Sequence, residues 1–192
     1  MNSWRAGCAE TRTSGSEGGP EKPTGGNLDA ALRSDPYTEH RTDEGKLYLC
    51  AVKDAWSNRI VGYSIDSRMK ASLAVAALHN ATALRRPHGT VVHSDRGSQF
   101  RSAKFVRALR QAGLVGSMGR TGTCADNAAI ESFFSLLQKN VLDRKRWSTR
   151  EELRLAIVTW IESTYHRRRR QRGLDKLTPI EFETVFEVAY AA

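Results

Sequence analysis

The chain has 192 residues, with 30 Lys and Arg against 21 Asp and Glu, a formal charge of +9 and a pI of about 9.8. That length suits one domain with an extension, and the charge points to a polyanionic partner, most simply nucleic acid. No apolar run approaches the roughly 20 residues of a membrane span, and the amino terminus lacks the apolar stretch of a signal peptide, so the expected setting is cytoplasmic, with no membrane partner.

Residues 1–34 set Gly15, Gly18, Gly19, Pro20, Pro23, Gly25 and Gly26 among Ser, Thr and Glu. Little there can be buried, so this stretch is expected to be a disordered leader outside the fold. Lys46–Val52 is rich in aliphatic and aromatic β-formers and reads as a strand, and Arg59–Ile65 reads as its hairpin partner. Asp54 and Asp66 flank these strands as turn and strand-end residues. Cys8, Cys50 and Cys124 are widely spaced, without metal-type pairing, and Cys50 sits in an apolar run that marks it as core.

Met69–Arg85 is Ala-rich, with Leu73, Ala77, Ala81 and Leu84 on one face, and predicts a helix stopped by Pro87 and Gly89. Thr90-Val91-Val92 reads as a short buried strand leading into His93-Ser94-Asp95-Arg96-Gly97-Ser98-Gln99-Phe100. A carboxylate at the end of a buried strand is held rigidly and suits a hard cation; taken alone, Asp-x-Gly favours a residue that merely opens a turn, and the case for chemistry depends on what lies downstream. Ser102 opens a helix with Phe105, Val106 and Leu109 inward and Gly113 at its end. Leu114–Met118 reads as a fifth strand, followed by a loop carrying Arg120.

Ile130, Phe133, Phe134 and Leu137 then follow the i, i+3, i+4, i+7 pattern of an amphipathic helix capped by Asp126 or Asn127. Glu131 lies beside that stripe, 35 residues separating it from Asp95. Ser148 with Glu151 reads as a capping box, ahead of a stripe of Leu153, Ile157, Trp160 and Ile161. Thr178-Pro179-Ile180-Glu181 caps a last helix with Phe182, Val185 and Phe186 on its apolar face. Arg144, Lys145 and the run Arg167–Arg170 with Arg172 are basic beyond what a helix end requires and read as phosphate contacts; Arg120 and Lys139 join them as candidates. The order of elements gives an α/β fold, a mixed sheet of about five strands covered by helices.

His-Ser-Asp-x-Gly-x-Gln-Phe, then Asp-Asn-Ala-x-x-Glu-Ser-Phe-Phe at that spacing, then Tyr165-His166-Arg167 to Arg170 and Leu177-Thr178-Pro179, resembles the catalytic core of OrfB-type insertion-sequence transposases, relatives of retroviral integrases with an Asp-Asp-Glu site. The resemblance covers roughly Gly45–Glu187. It implies a ribonuclease-H-like fold, a core over residues 35–145 and a basic helical extension over 146–192. It also implies Mg²⁺ (or Mn²⁺) on Asp95, Glu131 and a first acid, with DNA strands cleaved and joined. The implied partners are DNA (element ends and target), further copies of the chain on that DNA and a separate helix-turn-helix protein. The implied setting is bacterial and nucleoid-associated.

The family shows Trp-x-x-Asp, a β-branched residue and Thr ahead of the Gly45–Leu49 run. Here, aligned on Thr38-Glu39-His40, Pro36 stands at the acid's place, Asp35 is one residue early and the Trp is missing from that stretch. Asp35 is the expected first acid, reaching the site by a bulge near Pro36 on a strand beside that of Asp95, with Glu39 and Asp43 as substitutes. The basic residue that the family often carries seven positions after its Glu is Gln138 here. The leader lacks the helix-turn-helix pattern common ahead of such cores, which suggests a truncated or frame-disturbed copy. A DNA-binding remnant without activity and a ribonuclease-H-like nuclease are the alternatives.

Overall fold

The computed structural model describes residues 3–7, 38–87, 89–118 and 128–191. Its spine is strand β3, Gly45–Asp54, which is buried nearly throughout. Leu47, Leu49 and Ala51 feed one side of the sheet, and Cys50 and Val52 feed the other. A strand covered on both faces reads as a continuous apolar run, and that is why the sequence marks it so clearly.

Strand β4, Ile60–Asp66, lies along one edge of β3, from Tyr48 opposite Asp66 to Lys53 opposite Ile60. The other edge of β3 is shared by two strands end to end. Strand β2, Thr38–Thr42, pairs with it from Thr38 opposite Leu49 to Thr42 opposite Gly45. Strand β1, Ser3–Gly7, takes the rest, from Trp4 opposite Asp54 to Gly7 opposite Ala51. On its far side β1 runs parallel to β5, Val91–Ser94, and β5 runs parallel to β6, Val115–Met118. Among the described residues the sheet is therefore mixed and six-stranded.

Strand β1 corrects the expectation that nothing in 1–34 joins the fold: Ser3–Gly7 fills the slot between β3 and β5. The physical reason is that an open slot in a sheet offers two rows of backbone donors and acceptors, and a short extended run satisfies them whatever its neighbours in sequence.

Helix α1, Ala71–Arg85, buries Leu73, Ala74, Ala77, Leu78 and Ala81 against β4 and β3. It ends with Arg86 in the left-handed conformation, φ 44°. Leu84, assigned to the inner face, is 51% exposed instead, because the buried stripe drifts around the helix by its last turn. Gly62 is the contact point with α1: a Cβ there would collide with the Ala77 carbonyl and with Ala81. Helix α2, Ala103–Gln111, starts at Ser102, whose Oγ accepts from Phe105 N, and packs on α1 and β6.

The opposite face of the sheet carries α3, Ala128–Asn140, and α4, Arg150–Thr159, which continues as a π-helical stretch, Trp160–Tyr165. The four stripe residues of α3 are all buried, in one cluster with Leu47, Leu49, Ala51, Leu153, Ile157, Trp160, Ile161 and Tyr165. The cap of α4 falls one residue later than expected. Thr149 Oγ1 accepts from Glu152 N at 3.0 Å and the Glu152 carboxylate accepts from Ser148 N, leaving Glu151 exposed on the surface.

Helix α5, Pro179–Ala191, begins as the sequence predicts: Thr178 Oγ1 accepts from Glu181 N, and Glu181 accepts from Thr178 N at 2.9 Å. It docks on the β3–β4 turn through Phe182 and Phe186 against Trp56, at 5.0 and 5.5 Å between ring centroids. Buried Glu183 bonds Arg59 at 2.6 Å and also bonds Arg85. Val185, expected inward, is 54% exposed. Among the described residues no helix is long and apolar enough to cross a membrane.

Candidate functional site

Asp95 follows directly on β5 and is half-buried. Its Oδ1 accepts from Gly97 N at 2.8 Å, so it does open the turn. Phe100 and Gln99, both buried, anchor the loop behind it, and Phe100 N returns to Gly97 O at 3.1 Å. The turn role thus fixes the carboxylate's backbone rather than competing with a role in the cleft.

Strand alternation decides which way Asp95 faces. Val92 belongs to the α1–α2 cluster, so Val91, His93 and, one step on, Asp95 fall on the other face, that of α3. Glu131 stands in the first turn of α3, half-exposed beside buried Ile130. Helix α3 lies across β1 and β3. The two carboxylates named from sequence are therefore on the same side of the sheet, one at the end of β5 and one on the helix crossing its neighbour.

A third charged group at this place escaped the sequence reading. Lys53 continues the inward series Leu47, Leu49, Ala51, is only 4% exposed, and donates to the Ala129 carbonyl at 2.8 Å. It ties the first turn of α3 to β3, two residues before Glu131. Burial, followed by the nearby Arg169 guanidinium, pushes its pKa down to about 8. The alternation that marks Leu47 and Leu49 as inward would have found it.

The remaining expected acids are placed as follows. Asp35 lies outside the described residues; the position beside β5 expected for its strand is held by β1. Glu39 is opposite Tyr48, which packs against the α1–α2 cluster, so it is on the wrong face, and it pairs with Lys46 at 2.7 Å. Asp43, in the β2–β3 turn, pairs with Arg146 at 2.7 Å. The β2–β3 register turns Glu39 away from the α3 face, and Asp43 is held in the turn by Arg146 and by the Trp147 carbonyl, which accepts from Asp43 N at 3.0 Å.

Among the basic candidates, Lys139 is exposed on the last turn of α3, and Arg144 is exposed in the turn after it. Lys145 is committed to Glu152 at 2.5 Å and lies over the Trp147 ring at 4.6 Å. Arg167–Arg170 and Arg172 are all exposed at the end of the π-helical stretch, where Arg168 N and Arg169 N both bond Thr164 O. Arg170 comes within 3.8 Å of Glu181. Arg120 lies outside the described residues. Gln138 bonds Asp143.

Divalent metal needs oxygen donors in number, and a pair of ions needs more than one bridging carboxylate. Among the described residues no group of three or more His, Cys, Asp or Glu could hold an ion. Asp95 and Glu131 alone do not fit a two-metal site.

A mixed sheet between two helical layers, with an Asp closing β5 and a Glu on the helix crossing that face, defines an integrase-like, ribonuclease-H-like core. Two descriptions of the integrase core domain match residues 32–124 and 113–179. Over residues 32–179 the chain belongs to the integrase core domain family, and it is similar to insertion-sequence transposases. It is 42% identical over 144 residues to the transposase InsF for insertion sequence IS3A of Escherichia coli K12, covering 74% of this chain and 50% of that protein. It is 38% identical over 150 residues to the transposase for insertion sequence element IS629 of Shigella sonnei, covering 78% and 50%. The chain thus spans half the length of these relatives. In fold it is similar to the HTLV-2 integrase catalytic core domain in complex with magnesium, with a TM-score of 0.54, 16% identity and coverage of 76% and 90%. It is also similar to the catalytic core domain of BIV integrase, with a TM-score of 0.52, 15% identity and coverage of 81% and 96%.

Proposed function

We propose that this chain engages DNA as the core of an insertion-sequence transposase, with Asp95 and Glu131 at two corners of the place where such a core holds a divalent cation, Mg²⁺ or Mn²⁺, and the exposed arginines as its backbone contacts. The observation that carries this is the placement of Asp95 and the Glu131 helix on one face of the sheet. The reaction for which such a core is built is cleavage and joining of DNA strands. The chain's own contribution is a rigid support: β5 and its turn hold Asp95, while Lys53 and the buried stripe hold the first turn of α3 and thereby Glu131. Phosphate recognition by Arg167–Arg170 positions a duplex without reading its sequence. Oligomerisation on DNA, a separate helix-turn-helix partner and a bacterial cytoplasmic setting belong to the same reading.

The described carboxylates supply two corners of the site, and that favours a second reading: a copy that binds DNA without performing the reaction. A mobility-shift experiment on duplex DNA, run beside a cleavage and joining assay in Mg²⁺ and in Mn²⁺, separates the cases. DNA retained at low salt with little or no joining is expected. Failure to retain any DNA would remove the transposase-core reading, and hydrolysis without joining would favour a nuclease.

A further inference from the structure

The edge of β3 opposite β4 carries an unusual pair. Both β1 and β2 run antiparallel to β3, and hence in the same direction as each other. β1 stops at Gly7 opposite Ala51, and β2 starts at Thr38 opposite Leu49. One position, opposite Cys50, separates them, so the two pieces lie in line and in register along one edge. In sequence they are separated by residues 8–37.

The register also fixes where Gly7 stands. Ala6 pairs with Ser94, so Gly7 is level with Asp95 one step on. Directly opposed residues share a face of the sheet. Gly7 opposes Ala51, which packs with Ile130 and Phe133 of α3. Position 7 is therefore on the α3 face, beside Asp95, on a strand that α3 crosses. That is where a third carboxylate has to stand if it is to share an ion with Asp95 and Glu131, and the residue there has no side chain. In this register Trp4, Gly7 and Thr38 fall at the spacing of the Trp, Asp and Thr of the family, with glycine in the place of the acid.

We infer that β1 and β2 are two lengths of one strand, separated in sequence by residues 8–37, and that Gly7 occupies the corner of the site where the first acid belongs, so that Gly7→Asp completes a metal site that the described residues leave incomplete. This rests on the proposed function and deepens it. Asp95 and Glu131 remain in position because β5 and α3 are built by their own local patterns. The loss is confined to the strand that arrives from the far side of residues 8–37.

The test is Mn²⁺ binding by the full chain, followed by calorimetry and by the electron paramagnetic resonance of the ion. Wild type, Gly7→Asp and the uncharged control Gly7→Asn are compared. The wild-type chain should show no Mn²⁺ site that depends on Asp95. Gly7→Asp should tighten binding by at least about tenfold, since ligand charge sets affinity for hard cations. Gly7→Asn should not, and adding Glu131→Gln or Asp95→Asn to Gly7→Asp should remove the gain. A wild-type site that Asp95→Asn abolishes would overturn the inference, as would a folded Gly7→Asp chain with no gain. If Gly7→Asp does not fold, the wild-type titration alone decides. Duplex DNA binding measured on the same samples separates the two ideas: metal gained without DNA binding counts against the proposed function, and DNA bound without metal gained counts against the assignment of Gly7.

Discussion

Lys53 shows at the scale of one residue how an apolar pattern hides a buried charge. It occupies an inward place on β3 where a leucine would satisfy the alternation, and its ammonium is desolvated beneath α3. The folded pKa, about 8, lies below the ordinary 10.5. The unfolded chain therefore binds more protons between those values, and stability rises as pH rises through that window. Below about pH 8 the whole cost of the buried charge is present. Lys53→Met, similar in volume and uncharged, should raise the melting temperature at pH 7 by a few degrees, on the scale of roughly 2–4 °C per kcal/mol for a chain of this size. The advantage over wild type should shrink by pH 10. Thermal melts of both proteins at the two pH values check this; an advantage that grows with pH would mean the ammonium is better solvated than its burial indicates.

Asp95 makes a complementary point. Its residue type, its place after Val91-Val92 and the Gly that follows were enough to name it. Gly7 could not be named in that way, because its significance comes from Ala51 and Ser94, residues distant in sequence. Side-chain chemistry is legible locally; the absence of a side chain acquires meaning only from what surrounds it.

At the scale of elements, periodicity predicts what local packing decides. The α3 stripe, the Ser102 cap and the Thr178–Glu181 capping box all appear where the pattern puts them. Strand β1 was missed because pairing in a sheet is not a local property, and a Gly- and Pro-rich neighbourhood gives five residues no periodicity to display. Glu39 illustrates the same limit, since its face follows from its register against Tyr48. Two elements support direct tests. Gly62 lets α1 lie against β4, so Gly62→Ala should destabilise by about 1–3 kcal/mol through overpacking, measured by urea denaturation; a change within about 0.5 kcal/mol would show that α1 moves aside freely. Helix α5 is held by Glu183. Burial alone would raise that carboxyl, but bonds from Ser57, Arg85 and Arg59 keep it below its ordinary value. Its contribution is present above the unfolded carboxyl pKa and is lost as pH falls through the folded one. Glu183→Gln should therefore loosen α5 at neutral pH by about 3–5 kcal/mol, with the difference from wild type closing in acid. Amide exchange over 180–186, at pH 7 and in acid below the folded pKa of Glu183, reads this out, and equal protection in both proteins at pH 7 would contradict it.

At the scale of the whole molecule, the two faces of the sheet divide the work. The α1–α2 face is a plain apolar core, whereas the other face carries Asp95, Glu131, Lys53 and, past the π-helical stretch, the arginine run. An excess of nine positive charges over such a layout is an electrostatic footprint for a polyanion. If this face meets DNA, the salt dependence of binding reads the contact out. The slope of log K against log salt should be measured for wild type and for the chain with Arg167, Arg168, Arg169 and Arg170 all replaced by Ala. The slope should flatten by about 0.9 for each phosphate that the variant no longer neutralises, and affinity should fall alike for unrelated duplexes. An unchanged slope would contradict the account and return the arginines to the role of a solvated helix end.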